Sequence, residues 1–371
     1  MTDKTVFKIK DSVDIFLSDD KYILTYFMNS RRRKTFRVNE YMVKLITCID
    51  GEKNVGDLVK TMVKQCGISP DDVVNAMKIL EDNGIITQVL FDQDLLDAQE
   101  IQRYTRQINY FTEFLGSELA GIAAQRKLMD SHIFIFGCGA VGSNIAVELA
   151  MAGIGHFSLY DYDTVEPSDL SRHICFKEKY IGLLKTEALK NELKSVNSKV
   201  IVETYEEGMR PESNIEPLIN SGIDFVINTL DEPYIGYTSS KISRVCMKYR
   251  IPHYIAGGFD AHLSSTGELI IPFVTPCVEC YATHFKETLK GWKPKKHPVS
   301  NRSKEIGGLA STSLFSSSYA CIEIIKYLAG LVDMDDHFKI RGEFLFQDMS
   351  LTYLDVKRNP KCPICGGEET K

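Results

Sequence analysis

The sequence lacks the features that mark membrane, secreted and nucleic-acid-binding proteins. Acidic residues outnumber basic ones and give its 371 residues a formal net charge of −6, the opposite of the usual balance in proteins that bind nucleic acids. It contains no apolar run long enough to span a bilayer, and its N-terminal segment has no apolar core like that of a secretory signal. We therefore expect a cytoplasmic protein that binds neither a membrane nor a nucleic acid. The hydrophobic content of 44% is enough for two domains with a sizeable core.

The cysteines do not suggest a disulfide framework, because we expect the protein to stay in a reducing compartment. Four of the ten fall in two CxxC pairs, Cys277 with Cys280 and Cys362 with Cys365, separated by a long segment. Two such turns can place four thiolates around one structural Zn²⁺, which would pin the C-terminal tail to the body of the protein. A redox-active CxxC pair is the alternative.

The apolar spacing of residues 1–88 predicts a small winged-helix-like domain, in which short strands precede three helices. Gly51 and Gly67 stand where helix C-caps usually occur, and Ser69 with Asp72 forms a plausible capping box. Residues 89–100 read as a linker.

From residue 101 to residue 371 the pattern changes to alternating strands and helices. This rhythm predicts an α/β fold with a doubly wound, Rossmann-like sheet that is largely parallel. The segment GELIIPF predicts a further strand of a mixed sheet, and SLFSSSYACIEIIKYLAG predicts a buried helix.

A glycine-rich loop follows the first strand of this region. Gly137, Gly139 and Gly142 form a GxGxxG pattern, and Asp161 ends the next strand about 20 residues further on. Such loops let the backbone approach phosphates at a helix N-terminus, while the acid binds ribose hydroxyls. NAD and ATP share this geometry, and a purely structural glycine turn is a further alternative.

Two cations further along the chain favour ATP. Arg172 and Lys185 follow the second strand, where a hydride transfer has no use for them. They suit a reaction in which negative charge builds up on a triphosphate. Solvated surface charge is the alternative explanation for each of them taken alone.

Five ordered segments, RYTRQINY, GCGAVGS, DYDTVEPSDLSRH, GLLKTEALK and NTLDEP, resemble motifs of the E1-like adenylating enzymes. That family includes the ThiF and MoeB sulfur-carrier activators and the ubiquitin-activating enzymes. The resemblance covers residues 101–371, and it implies an enzyme that uses ATP and Mg²⁺ to adenylate a carboxylate. The family often carries a tetrathiolate zinc site as well.

The resemblance also implies roles for individual residues. The nucleotide-binding positions are Gly137, Gly139, Gly142, Asp161, Asp163, Arg172, Lys185 and Asp231. Among them, Asp161 would hold the ribose, Asp231 would hold Mg²⁺, and Arg172 with Lys185 would neutralise the leaving pyrophosphate. Arg106 would act as an arginine finger in the partner subunit's site, which implies a homodimer.

The sequence departs from the family pattern at two positions. Asp169 and His173 stand where the family usually has Asn and Gln. A carboxylate near ATP is unfavourable unless a cation offsets it. Asp169 would therefore be a second magnesium ligand or a partner of Arg172.

Adenylation needs no nucleophile from the protein, because the substrate carboxylate attacks the α-phosphorus of ATP. Most lone cysteines are then free to be core residues. A thioester-forming cysteine is the alternative, and Cys175 and Cys321 are its candidates.

A basic segment at about residues 284–308 contains the single tryptophan, Trp292. In an acidic chain this local reversal of charge predicts a crossover loop that covers the active site and attracts an acidic substrate. A plain exposed loop is the alternative.

The N-terminal domain resembles PqqD-like recognition elements, which bind leader peptides of ribosomally made natural products. A leader would add as a strand to an exposed sheet edge and pack on the third helix, and the run Arg31–Arg33 would meet its acidic residues. DNA binding by a winged helix is the alternative.

The combination of the two domains resembles the MccB- and PaaA-type enzymes of peptide antibiotic biosynthesis. We favour activation of a glutamate side chain in a precursor peptide, followed by cyclisation with loss of water. The alternatives are MccB-like adenylation of a peptide C-terminus, a sulfur-carrier adenylyltransferase, and a leader-binding scaffold without activity.

Overall fold

The computed structural model describes residues 2–18, 21–89, 95–219, 222–257, 263–288, 290–291, 308–333 and 341–367. The chain separates into two compact units, Met1–Arg126 and Lys127–Lys371. Among the helices of these described residues, none is both long enough and apolar enough to cross a membrane.

The first unit combines short antiparallel strands with helices. Its strands are β1 (Val6–Ile9), β2 (Val13–Ser18), β3 (Tyr22–Phe27), β4 (Arg32–Arg37), β5 (Asp50–Asn54) and β6 (Ile86–Gln88). Its helices are α1 (Glu40–Cys48), α2 (Val55–Cys66), α3 (Pro70–Asp82), α4 (Ala98–Leu115) and α5 (Glu118–Asp130), the last of which runs on into the second unit. The strands form two three-stranded sheets, in the orders β5-β1-β6 and β2-β3-β4.

The three helices that the apolar spacing predicts are α1, α2 and α3. They bury Leu45, Leu58, Met62 and Met77 in one core with Phe7 of β1, and each of these side chains is no more than 1% exposed. Burial of each such side chain stabilises the fold by roughly 1.5–3 kcal/mol. This shared core holds the helices to the β5-β1-β6 sheet.

The predicted helix ends are correct at two places and wrong at one. Gly67 ends α2 in a left-handed conformation at φ 67°, and Ser69 accepts a hydrogen bond from the backbone N–H of Asp72 at the start of α3. Gly51 does not cap a helix: Ile49 caps α1, and Gly51 lies in β5 with φ 84°.

The arginine run is divided between a turn and a strand. Only Arg31, at φ 55°, lies in the turn, whereas Arg32 and Arg33 begin β4.

The helices that follow the third predicted helix pack on the strands of the first unit. Ser12 donates a hydrogen bond to Glu113 of α4. Lys8 lies 3.4 Å from a carboxylate oxygen of Glu118, and the Nζ of Lys10 lies 3.4 Å from the carbonyl oxygen of Gly116. These contacts explain why the first compact unit extends to residue 126, beyond the predicted domain boundary at residue 88. The assignment of separate functions to 1–88, 89–100 and 101–371 stays a prediction.

The second unit contains the doubly wound sheet. Its strands are β7 (His132–Phe136), β8 (His156–Tyr160), β9 (Ile201–Tyr205), β10 (Phe225–Asn228), β11 (His253–Ile255), β12 (Leu263–Ser265), β13 (Glu268–Ile270), β14 (Gly342–Leu345) and β15 (Ser350–Tyr353). Its helices are α6 (Ala140–Met151), α7 (Lys185–Val196), α8 (Glu216–Ile219), α9 (Ile235–Lys248), α10 (Val278–Thr288) and α11 (Ala310–Leu328).

The main sheet confirms the predicted fold class. Its strand order is β13-β11-β10-β7-β8-β9, and its strands are parallel except β13, which pairs antiparallel with β11. The strand HIFIF (β7) is buried along its whole length, as expected for the centre of a parallel sheet covered on both faces. The chain direction across the sheet reverses between β7 and β10, so a crevice opens at the carboxyl ends of these two strands.

The predicted buried helix is α11, which packs on α6. Small side chains allow the close approach: Ser317 donates a hydrogen bond to the carbonyl of Val141 at 3.2 Å, and Asn144 donates to the hydroxyl of Ser313 at 3.5 Å. Because α6 begins at the glycine loop, this packing fixes the position of the loop.

Candidate nucleotide-binding site and cysteine cluster

The glycine loop joins β7 to α6 in a conformation that requires glycine. Gly137 has φ 95°, in the left-handed region that other residues avoid. A Cβ on Gly142 would lie 2.0 Å from the carbonyl oxygen of Gly137, so the first turn of α6 packs directly on the loop. A Cβ on Gly139 would meet nothing within 4 Å. The open side at Gly139 leaves the N-terminal N–H groups of α6 accessible to an anion such as a phosphate.

Asp161 braces this loop from the end of β8. Its buried carboxylate accepts hydrogen bonds from the backbone N–H groups of Cys138 (2.6 Å) and Asp163 (2.9 Å). Burial raises the pKa of Asp161, while the two backbone hydrogen bonds act in the opposite direction. The residue predicted to hold the ribose thus also fixes the loop predicted to hold the phosphates.

Lys185 begins α7 and points at a group of carboxylates. Its Nζ lies 3.1 Å from Asp163 Oδ2 and 3.8 Å from Asp169 Oδ2, and its side chain is only 11% exposed. Burial alone would lower the pKa of Lys185, but the charges of Asp169, Asp163 and Asp161 outweigh it and raise the pKa. Lys185 is therefore a buried cation at neutral pH.

Asp169 joins the two cations that the sequence predicts to bind phosphates. It is 2% exposed, and its carboxylate accepts hydrogen bonds from the N–H of Glu166 (3.0 Å) and from Arg172 (3.2 Å). Burial opposes the charge of Asp169, but the Glu166 N–H and Lys185 stabilise it more, so its pKa is lowered. Of the two predicted roles, the structure shows the ion pair with Arg172.

His173, the second departure from the family pattern, is a buried neutral ring. Its Nδ1 lies 2.7 Å from the carbonyl oxygen of Asp169, which makes Nδ1 the protonated nitrogen. Burial lowers the pKa of His173 to about 4, although the Asp169 carbonyl opposes the shift. The ring stacks on Phe176 with centroids 4.6 Å apart. At neutral pH His173 positions the Asp169 segment and adds no charge.

The loop after β10 forms the opposite side of the crevice. Asn228 is buried; it donates hydrogen bonds to Thr238 and Ser239 and accepts one from the N–H of Leu230 at 3.1 Å. The hydroxyl of Thr229 lies 2.9 Å from the carbonyl oxygen of Gly137. These bonds fix the loop that carries Asp231, whose side chain is exposed.

A hydrogen bond that the sequence analysis missed links the two sides of the crevice. Tyr162, between Asp161 and Asp163, donates to Glu232 Oε2 at 2.6 Å, and this bond raises the pKa of Tyr162 to about 12. Because Glu232 follows Asp231, the bond ties the β8 end to the predicted Mg²⁺ ligand.

The structure places most of the predicted site at one end of one sheet. The predicted nucleotide-binding residues follow the carboxyl ends of three strands. They are Gly137, Gly139 and Gly142 after β7, Asp161, Asp163, Arg172 and Lys185 after β8, and Asp231 after β10. Arg106 lies in the first unit, on an exposed face of α4, and its role as an arginine finger stays a prediction.

The comparison with protein-family models gives a match to the ThiF family over residues 104–364, more than half of the chain. The protein belongs to the ThiF family. Known relatives include the adenylyltransferase and sulfurtransferase UBA4 of Lodderomyces elongisporus, 29% identical over 282 residues, which are 74% of this chain and 56% of UBA4. The adenylyltransferase and sulfurtransferase MOCS3 of Aedes aegypti is 26% identical over 326 residues, 85% of this chain and 66% of MOCS3. The ThiF-family chain thus spans between about half and two thirds of these relatives.

Solved structures with the same fold match nearly the whole chain. E. coli MccB, in a crystal structure with AMPCPP and MccA, aligns with TM-score 0.70 at 20% identity and covers 97% of this chain and 99% of its own. PaaA aligns with TM-score 0.74 at 22% identity over 94% of this chain and 100% of its own. At this level of identity the similarity establishes the fold of this ThiF-family protein.

The four CxxC cysteines of this ThiF-family protein come together as predicted. All four are buried, and their sulfurs lie within 4.8 Å of one another, with 3.5 Å between Cys277 and Cys362 and between Cys280 and Cys365. These separations are far above the disulfide bond length of about 2.05 Å and close to the roughly 3.8 Å expected around a tetrahedral Zn²⁺ with 2.3 Å bonds. The backbone N–H of Asn359 points at the sulfur of Cys280 at 3.4 Å. The donor set and spacing fit a structural Zn²⁺.

The candidate thioester cysteines are buried. Burial raises the pKa of Cys175 to about 11 and also raises the pKa of Cys321 well above its ordinary value. Thiols in this state are poor nucleophiles, which disfavours a thioester intermediate on either residue.

Most of the predicted crossover loop lies outside the described residues. Residues 284–288 form the end of α10, while residue 289 and residues 292–307, which include Trp292, are not among those described.

Proposed function

We propose that this protein uses ATP and Mg²⁺ to adenylate a carboxylate of a ribosomally made precursor peptide, with a glutamate side chain as the favoured group. The observation that carries the proposal is the pair of cations, Lys185 and Arg172, held by the buried Asp169 beside an anion-binding glycine loop. A hydride transfer, by contrast, develops no new negative charge on the phosphates of its nicotinamide cofactor for this cationic pair to neutralise. Membership of the ThiF family supports the same chemistry.

The proposed reaction follows from this arrangement. The substrate carboxylate attacks the α-phosphorus of ATP, the bond from that phosphorus to the bridging oxygen breaks, and pyrophosphate leaves with the electron pair. Lys185 and Arg172 neutralise the charge on the leaving group. The glycine loop binds phosphate oxygens, Asp161 holds the ribose and Asp163 orients Lys185. Asp231 would hold Mg²⁺, which would supply positive charge to offset that of the phosphates.

The first unit supports a peptide as the substrate. β4 is an edge strand of the β2-β3-β4 sheet within the described part of the chain. Lys34 on β4 donates hydrogen bonds to the carbonyl and side-chain oxygens of Asn83, which caps α3. An extended peptide could therefore pair with β4 and contact the end of α3, which is the strand-addition mode of peptide recognition. Arg31, Arg32 and Arg33 are exposed and would attract acidic residues of a leader.

The solved structures favour a peptide over a sulfur-carrier protein. MccB has been crystallised with MccA, and its fold matches 97% of this chain, while that of PaaA matches 94%. The sequence relatives UBA4 and MOCS3 instead support a sulfur-carrier adenylyltransferase as the second candidate. MccB-like activation of a peptide C-terminus is the alternative for the carboxylate, and loss of water on cyclisation would follow glutamate activation.

Three further features complete the proposal. The tetracysteine cluster holds a structural Zn²⁺. Two copies of the chain form a homodimer in which Arg106 of one copy reaches the nucleotide of the other. The enzyme works in the cytoplasm, where ATP is plentiful and the thiolates stay reduced.

The proposal is tested by ATP–pyrophosphate exchange with two kinds of candidate substrate. These are the peptide encoded by a short reading frame beside the gene and a small protein that ends in Gly-Gly. We expect exchange with the peptide, and mass spectrometry should then detect a product that has lost one water. Exchange with the Gly-Gly protein alone would favour the second candidate.

The Asp231→Ala variant tests the site assignment in the same assay. Loss of the predicted Mg²⁺ ligand should reduce exchange by at least about 100-fold, on the scale of other lost electrostatic contributions to catalysis. Binding of the peptide should not change. Glu212→Ala, an exposed acid elsewhere in the unit, is the matched control. Full exchange by Asp231→Ala would refute the Mg²⁺ assignment.

A further inference from the structure

A second group of metal-ligand side chains lies at the amino ends of the parallel strands, the end opposite the nucleotide site. His132 begins β7, His156 begins β8, and Glu203 lies in β9. The register pairs His132 with His156, and Ser158 with Glu203. Since alternate residues of a strand point to the same face, these side chains lie together on one face of the sheet.

The three side chains are close enough to share one cation. The two imidazole rings stack with centroids 3.4 Å apart, and His156 Nε2 lies 3.5 Å from Glu203 Oε1. One ligand atom from each residue lies within 4.8 Å of the other two. Ligands bound tetrahedrally at about 2.1 Å are roughly 3.4 Å apart, so modest side-chain rotations would bring all three to one ion.

The surroundings leave the facing atoms available for an ion. His156 Nε2 is shielded from solvent and lacks a hydrogen-bond partner among the described residues. Ser158 and Tyr205 donate to Glu203 Oε2 at 3.3 and 3.2 Å, which leaves Oε1 directed at His156. Hydrogen bonds of this kind orient metal ligands in known sites. Glu203 is half exposed on β9, the terminal strand of the sheet, so an ion can enter from solvent.

We propose that His132, His156 and Glu203 form a binding site for a divalent transition metal such as Zn²⁺. Two imidazoles and one carboxylate suit such an ion and leave one coordination position open to water. In the parallel stack the ring nitrogens point side by side. Binding therefore requires the rings to turn toward Glu203, and His132 to exchange its 2.9 Å contact with Ser158 for the ion. The site does not depend on the adenylation reaction.

The proposal is tested by counting Zn²⁺ ions on the intact protein. Native mass spectrometry should find one more Zn²⁺ per chain on the wild type than on His156→Gln. Calorimetric titration should give this additional ion a Kd on the order of 10 µM. Glu203→Gln should weaken it by at least about tenfold, the scale expected for loss of a ligand contact. Glu206→Gln, an exposed acid just beyond β9, is the matched control and should bind like the wild type.

An equal number of bound Zn²⁺ ions on the wild type and on His156→Gln would overturn the proposal. So would equal affinity of Glu203→Gln and Glu206→Gln. Glu203 is half exposed, so its replacement should leave the thermal unfolding midpoint without added Zn²⁺ unchanged. The comparison of Zn²⁺ affinity between Glu203→Gln and Glu206→Gln therefore tests the proposed site even if His156→Gln folds poorly. Because neither variant touches the nucleotide site, failure here leaves the proposed function standing.

Discussion

At the residue scale, Asp169 sets the electrostatics of the nucleotide site. Opposite charges about 4 Å apart interact by roughly 4 kcal/mol at the effective dielectric constant of a protein surface. Asp169 contacts both Arg172 and Lys185 within that distance, so it aligns the two cations and helps to keep Lys185 charged. The same carboxylate competes with any phosphate for them. Asp169 therefore orders the two cations but lowers the affinity of the site for ATP.

These two effects predict opposite outcomes for two replacements of Asp169. Asp169→Asn keeps one acceptor oxygen, for the Glu166 N–H, but removes the negative charge and the oxygen that accepts from Arg172. ATP should therefore bind up to about tenfold more tightly, equivalent to about 1.4 kcal/mol. Asp169→Ala removes the acceptor as well, leaves the Glu166 N–H unpaired and should weaken binding. The measurement is the Kd of ATP by calorimetry at fixed Mg²⁺.

The outcome also distinguishes the two roles that the sequence allows for Asp169. If Asp169 were a Mg²⁺ ligand, Asp169→Asn would bind ATP more weakly, and the deficit would shrink as Mg²⁺ is raised. Tighter binding at all Mg²⁺ concentrations supports the ion-pair role.

Contacts near in sequence were predictable at this scale, and distant ones were not. The Asp169–Arg172 ion pair was one of the two roles predicted for Asp169. It could be predicted because the two residues are only three positions apart in the sequence. The Tyr162–Glu232 hydrogen bond joins residues 70 positions apart. It depends on the strand order that places β10 beside β7, which a single sequence does not specify.

At the element scale, the strands and helices that could be predicted from the sequence are those with a clear apolar pattern. The strand β7 and the helix α11 were predicted because each contains a long buried stretch. The strand β5, DGEKN, has no apolar pattern, and it exists because it pairs with β1, with Val6 opposite Asn54 and Lys8 opposite Asp50. The sequence predicts a helix cap at Gly51 because a cap and the position of Gly51 in β5 both require the left-handed conformation, and β5 has no apolar pattern that indicates a strand.

The edge strand β4 yields a prediction at the same scale. If an acidic leader pairs along this strand, the double variant Arg32→Glu and Arg33→Glu should weaken binding of the precursor peptide by up to about 30-fold, since each reversed charge near the surface contributes up to about 1 kcal/mol. Rising salt should reduce the difference between wild type and variant. Fluorescence anisotropy of the labelled peptide measures both.

Lys60→Glu is the control for this experiment. Lys60 is 82% exposed on α2, away from β4, and its reversal changes the net charge in the same direction. An equal loss of binding free energy per reversed charge in the double variant and in Lys60→Glu would indicate a general charge effect and contradict a site on β4.

At the scale of the whole molecule, the division into units does not follow the sequence pattern. The change from strands and helices to βαβ alternation falls near residue 101, yet α4 packs on the strands of the first unit through Glu113, Gly116 and neighbouring groups. The spacing of apolar residues in a helix indicates which face is buried, but it does not indicate which element packs on that face. A truncation at residue 88 would separate these contacting groups, so point variants are the better test of the first unit.

The tetracysteine cluster connects distant parts of the second unit and gives the last prediction. A cross-link that closes a loop of this size stabilises a protein by about 4 kcal/mol in the chain-entropy model. If Zn²⁺ fills the cluster, Cys362→Ser should release it and lower the thermal unfolding midpoint by roughly 10 °C, at about 2–4 °C per kcal/mol for a unit of this length. Cys66→Ser, a half-buried cysteine of α2, is the matched control and should keep both the metal and the midpoint.

Substitution with Co²⁺ separates this site from the proposed histidine site. Four thiolates give sulfur-to-metal charge-transfer absorption, which a site of two histidines and a glutamate cannot give, because it contains no sulfur ligand. Cys362→Ser should lose this absorption, whereas His156→Gln should retain it. An unchanged spectrum and midpoint in Cys362→Ser would mean that the buried thiols pack without a metal. The C-terminal tail would then be held by contacts such as the apolar ones around Ile364 and the hydrogen bond from Arg358 to the carbonyl of Phe273.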